Sequence, residues 1–223
     1  MVQQHTVLFW GRPDSKLTTD GAQNCIRSLF ATMNSSFISD FKVLYKGNYV
    51  DVDRISIDSL LSDGINKENE NIFPSLGFRI NFRLLLWDTP SYGSVLIGAT
   101  ENNVTNVFRL PIPYTLDFSN AEVRVGLSSL FSAVSKVYNW YWGAITSNTI
   151  IKQFNPFFLD GMPKTVFLLN YWEDEILEAI DANKLERLDN KYGLKFNNNI
   201  VSMDYDSYSL ENIIEINRCI FGE

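Results

Sequence analysis

Between residues 78 and 84, apolar and polar side chains alternate strictly: Phe78, Ile80, Phe82 and Leu84 interleave with Arg79, Asn81 and Arg83. A period of two puts the first set on one face of a strand and the second set on the other, which predicts a half-buried strand. Trp87, Asp88, Thr89 and Pro90 bring it to an end. Residues 93–100 and 104–111 predict two further strands, joined by a turn at Glu101, Asn102 and Asn103. Three strands with connections this short predict an antiparallel meander.

Elsewhere the period changes. Residues 6–10 are β-branched and aromatic and predict a short first strand, closed by Gly11 and Pro13. Ala22, Ile26, Leu29, Phe30 and Met33 then recur at spacings of three and four, the stripe of an amphipathic helix, with Asp20 and Gln23 placed as a capping box at its start. Phe37, Ile38 and Phe41 continue the apolar material after a break at Asn34, Ser35 and Ser36. Residues 46–75 are less patterned, with a short helix expected at 57–61 and a polar loop at 66–71. Ser119 and Glu122 suggest a second capping box ahead of Val123, Leu127, Leu130, Phe131 and Val134. Residues 157–163 read as a loop, 165–172 as a strand, 173–187 as a helix, 200–203 as a last strand and 209–221 as a terminal helix. With no internal repeat and no linker-like stretch, the pattern predicts an α+β fold over residues 1–223. It is a single domain, a mainly antiparallel sheet with helices packed on it.

Composition adds a surplus and an imbalance. The 223 residues include sixteen Phe, ten Tyr and five Trp, more rings than one core usually needs. Some are therefore expected on the surface, where aromatics anchor interfaces. The net charge is -7 and no run of Lys and Arg supplies the basic face that a phosphate backbone demands, so no direct nucleic-acid contact is expected. An acidic chain is instead steered toward a basic partner. No stretch of about 18 apolar residues and no leader pattern occurs, so the reading expects no membrane contact and a cytoplasmic location. Cys25 and Cys219 read as small buried hydrophobes.

Candidate chemistry is sparse. His5 is the one histidine, and a Ser-His or Cys-His dyad would have to use it. Its place near the chain end predicts a frayed, solvent-exposed side chain. No HExxH, paired CxxC, Walker loop or GxGxxG is present. The sequence thus predicts no catalytic residue, no metal and no cofactor, and a binding protein rather than an enzyme. The pairs Asp51/Asp53 and Asp204/Asp206 are the only support for the alternative of a carboxylate-based, metal-dependent hydrolase. A structural or adaptor subunit is a third reading.

Two clusters invite a partner. Tyr138, Trp140, Tyr141 and Trp142 form an aromatic group, and strand alternation would put Trp140 and Trp142 on the same side. Tyr171 and Trp172 lead into the densest acidic stretch, Glu173, Asp174, Glu175, Glu178 and Asp181. On one helix Asp174, Glu178 and Asp181 share a face, which serves equally as a solvated surface or as a dock for a cationic partner. The candidate partner-binding set is Trp140, Trp142, Tyr171, Trp172, Asp174, Glu175, Glu178 and Asp181.

The order of motifs resembles one family. Phe9, Trp10, Gly11 and Arg12 open it, followed by a helix with Cys25 and Leu29, then Phe37 and Phe41. Asn102, Asn103 and Asn106 precede Leu110 and Pro111, and the regions of Tyr141-Trp142 and Tyr171-Trp172 come before a C-terminal helix. This succession is similar to the immunity protein 52 family, except that Asn197, Asn198 and Asn199 stand where a glycine-rich turn is expected. The resemblance implies a protein that neutralises a cognate toxin of a bacterial polymorphic toxin system, often one with a restriction-endonuclease-like nuclease domain. An acidic, aromatic-rich inhibitor suits the basic groove of such a toxin.

Overall fold

In a computed structural model, residues 5–12, 18–65, 67–68, 71–72, 75–100, 106–147, 166–178, 180 and 182–222 are described. The alternating segments become β6 (Leu76–Leu86), β7 (Thr89–Ala99) and β8 (Asn106–Pro111), an antiparallel meander as the pattern predicts. The first strand, β1 (His5–Gly11), does not sit at an edge. It lies between β8 and β9 (Trp140–Ser147) and is antiparallel to both. Beyond β9 come β10 (Leu169–Trp172), β12 (Ile200–Ser202) and β11 (Lys195–Asn197). Beyond β6 come β2 (Ile38–Tyr45) and β3 (Asn48–Asp51). Among the described residues ten strands form one sheet in the order β11-β12-β10-β9-β1-β8-β7-β6-β2-β3. A separate small hairpin pairs β4 (Lys67–Glu68) with β5 (Asn71–Ile72).

The architecture is α+β, with helices on both sheet faces. The first face carries Val7, Phe9, Ile80, Phe82, Val95, Ile97 and Phe108. It packs against α1 (Thr19–Thr32), α2 (Ile57–Gly64) and α3 (Ala121–Val134), through Ile26 and Leu29, Leu60 and Leu61, and Leu130 and Phe131. The second face carries Leu8, Trp10, Trp142, Ala144 and Val201. It packs against α4 (Asp174–Glu178), α5 (Ala182–Tyr192) and α6 (Leu210–Phe221), through Ile176, Leu188, Ile213, Ile216 and Ile220. The aromatic surplus has a structural use here: two cores, one on each side of a shared sheet, need more rings than one.

The β6–β7 turn consists of Trp87 and Asp88, both with positive φ (43° and 59°). Two left-handed residues give the turn whose twist suits a hairpin, but a bulky residue rarely adopts that conformation. Trp87 is held by packing: its ring stacks on Phe37 at 4.6 Å and fills the space beside Gly126 of α3. A Cβ on Gly126 would lie 2.7 Å from that ring. Thr89 and Pro90, expected as part of the strand terminator, instead begin β7.

Several boundaries differ from expectation. Thr18, not Asp20, caps α1 by accepting the Gly21 N–H at 3.1 Å, and Asn120, not Ser119, caps α3 by accepting the Glu122 N–H at 2.8 Å. The β2–β3 hairpin lies in a stretch where no strand was legible. A bulge between Ser39 and Lys42 breaks the alternation of β2, and the turn uses Lys46 and Gly47 at φ 47° and 82°. The expected helix at 173–187 is interrupted, so α4 ends at Glu178 and α5 begins at Ala182. His5 is not frayed: it pairs with Ser147 in β1 and lies half-buried with its ring 4.3 Å from Phe118. Cys25 borders the first core and Cys219 the second, and neither is in a disulfide. The loop expected at 157–163 lies outside the described residues. No described helix is long and apolar enough to cross a membrane.

Candidate interaction surface

Residue spacing at β9 is altered by one extra residue. Trp10 lies opposite Trp142, but Gly11 lies opposite Trp140, so Tyr141 is unmatched in a β-bulge. The bulge reverses the facing of the strand. Trp140 and Trp142, expected on one side, lie on opposite sides and in different cores. Trp140 packs on Phe9 and donates its indole N–H to the Val134 carbonyl at 2.9 Å. Trp142 packs against Trp10 with ring centroids 4.2 Å apart and the planes tilted by 41°. Trp172 is also fully buried, edge-on to Phe221. These three tryptophans are core residues, and a partner approaching this surface does not reach them. Tyr171 is half-buried against the first core, and burial, then Glu173 and Asp174, push its phenol pKa up.

The acidic stretch is divided among structural tasks. Arg12 bonds Glu175 at 2.8 Å, approaches Glu173 at 3.7 Å and covers the Tyr141 ring at 4.2 Å, which ties the end of β1 and the bulge to α4. Asp174 accepts a hydrogen bond from the Asn199 side-chain amide at 2.7 Å, and the same amide donates to the Trp172 carbonyl at 2.8 Å. Asn199 belongs to the β11–β12 turn, where Asn198 adopts a left-handed φ of 51°. Asparagine tolerates that conformation, so the glycine-poor turn closes without glycine. Glu178 is exposed at the end of α4. Asp181 lies outside the described residues, and α4 ends before it, so the expected three-acid face on one helix is not assembled.

What does assemble is a charge division across the second sheet face. The helices α4, α5 and α6 together hold seven Asp and Glu against four Lys and Arg. Their layer covers the β12-β10-β9-β1 part of that face. Over β8, β7, β6, β2 and β3 no described helix packs on it. Register places Arg109 beside Ser94, Asn81 beside Ser94, Arg79 beside Leu96, and Arg83 between Tyr92 and Lys42 on this open part. Tyr49 and Tyr92 are 39% and 56% exposed, and their rings meet at 6.0 Å although β2 and β6 lie between their strands. Asp40 pairs with Lys42 at 2.6 Å and with Arg83, and Lys42 first, then Arg83, lowers its carboxyl pKa.

Sequence reading missed this surface because its charges come from three strands and no two are adjacent in the chain. The available signal was the polar phase of the residue 78–84 alternation, whose arginines must face something.

The hydrolase alternative finds no assembled centre. Among the described residues, no three His, Cys, Asp or Glu side chains gather to hold a metal ion. Asp51 pairs with Arg54 at 3.3 Å, and Asp204 lies 3.8 Å from Lys195. A groove of about 320 Å³ runs beside His5, Tyr114, Asp117, Phe118 and Tyr205. The neighbouring Arg124 donates to the Phe118 and Ser119 carbonyls at 2.9 and 2.6 Å, so its guanidinium is engaged within the protein. No family model, curated protein or solved structure matches the chain.

Proposed function

We propose that the chain is an immunity-type protein that binds a cognate bacterial effector toxin and neutralises it by direct contact in the cytoplasm of the cell that makes both. The observation that carries this reading is the net negative charge of the helical layer over β12-β10-β9-β1, where Glu178 of α4 and Glu211 of α6 are exposed. A net negative layer attracts a basic partner at long range and orients it before contact. A nuclease toxin, which must grip a phosphate backbone, presents a basic groove. The order of motifs shared with the immunity protein 52 family supports the same class.

The test is protection. Cells expressing the toxin encoded beside this gene should survive when the chain is co-expressed, and the two proteins should co-purify. Loss of viability despite co-expression, with no complex between the purified proteins, would sink the reading. Replacing Glu178 and Glu211 together with Lys should slow association most at low salt, since exposed charges act mainly on the encounter rate.

A further inference from the structure

The open part of the second sheet face has the opposite character to the layer beside it. Arg79 on β6 and Arg109 on β8 are exposed, and neither forms an ion pair among the described residues. They flank β7 on its two sides, with Asn81 and Ser94 between them. Arg83 stands further along β6 and Lys42 on the neighbouring β2, and both pair with Asp40. Apolar material lies among the cations: Leu96 is buried at the foot of the patch, Leu44 and Val107 are partly covered, and the Tyr49–Tyr92 pair projects from it. Tyrosine and arginine around a small apolar centre is the composition of protein interfaces rather than of ordinary surface.

We propose that this face is a second docking site, separate from the acidic layer, and that its occupant is a protein surface bearing carboxylates beside apolar side chains. Charge complementarity selects that occupant. An arginine fork donates two parallel hydrogen bonds to a carboxylate, and here two such forks have no ion pair among the described residues. A nucleic-acid strand fits less well. The chain carries a net charge of -7, and a polyanion laid along the patch would run on toward the acidic helices that share this face. The two tyrosine rings also contact each other instead of standing apart as platforms for successive bases. A second copy fits less well still, because a face-to-face pair would set Arg79 and Arg109 against their own counterparts. Five strands about 4.8 Å apart, with five residues along each, expose on the order of 400 Å². That is about half of what each partner in a stable complex contributes, which implies a modest, salt-sensitive affinity.

The inference does not rest on the toxin reading, and its test uses no toxin. The probe is a fluorescein-labelled twelve-residue peptide alternating Glu with Leu and Phe, followed by anisotropy against the full chain. A peptide with Lys in place of Glu and an oligo-dT strand serve as comparators. The wild-type chain should bind the Glu peptide and ignore the Lys peptide, and the binding should weaken as salt rises. Arg79→Glu with Arg109→Glu should weaken it at least tenfold while leaving the circular dichroism spectrum and Tm unchanged, since both side chains are exposed and unpaired. Tyr92→Ala should weaken it as well. Equal binding of the Glu and Lys peptides, an unchanged affinity in the double variant, or tighter binding of oligo-dT would each overturn the proposal.

Discussion

At the scale of single residues, the structure depends on side chains that fill spaces other residues leave. Gly126 is the clearest. A glycine inside a helix ordinarily costs up to about 1 kcal/mol relative to alanine, so replacement would be expected to stabilise α3. Here a Cβ would meet the Trp87 ring at 2.7 Å, and Trp87 is fixed by its own turn and by Phe37. Gly126→Ala should therefore destabilise the protein by about 1–3 kcal/mol, the usual cost of overpacking. Chemical denaturation checks this, and a gain in stability would show that the Trp87 ring moves aside. Nothing in the sequence around Gly126 announces the contact, because its partner is some forty positions away in a turn. The tryptophans teach the same point from the other side. Their number was legible, but whether a ring anchors a partner or fills a core depends on a bulge of one residue at Tyr141, and a bulge has no composition of its own.

At the scale of elements, periodic segments were readable and irregular ones were not. The meander of β6, β7 and β8 and the helices α1, α3 and α6 follow from apolar spacing, since an uninterrupted period leaves little choice of face. The strands β2 and β3 escaped because the bulge between Ser39 and Lys42 breaks the alternation. Helix starts shifted by one or two residues because several cap-competent side chains stand in a row: Thr18, Thr19 and Asp20 before α1, and Ser119 and Asn120 before α3. Asp40 pins the broken part of β2 to β6. It sits at φ 48° and joins Lys42 to Arg83 across the two strands. Asp40→Asn keeps the tolerance for that backbone and removes only the charge. The folded carboxyl pKa is depressed below its ordinary 3.8, so the ion pairs contribute fully above that value and fade as pH falls through the lower, folded one. Wild type should exceed Asp40→Asn in Tm at pH 7 and at pH 5, and the two should converge in more acidic solution. A difference that instead vanished between pH 7 and pH 5 would contradict the assignment.

At the scale of the whole molecule, one sheet serves two cores, and no described helix covers part of its second face. Single-domain α+β character was legible in the sequence, whereas strand order was not. Strand order depends on pairing between distant segments, which periodicity does not record. The order has a measurable result. β1 is bonded on both sides, to β8 and to β9, and its side chains enter both cores. Its amides should exchange with solvent only through global unfolding, while those of the edge strands β3 and β11 exchange through local fraying. Hydrogen exchange read by mass spectrometry distinguishes these cases, and rapid exchange at Val7 or Phe9 would contradict the central placement.

The same placement governs how the chain reaches its fold as it is made. Thr6 waits opposite Pro111 and Thr146, so the middle of the sheet cannot close until most of the polypeptide has left the ribosome. Until β9 is made, Leu8 and Trp10 lack one neighbouring strand, and their covering helices α4, α5 and α6 follow later still along the chain. A chain built this way folds late and all at once, and its newborn N-terminal segment is the part that a chaperone would hold.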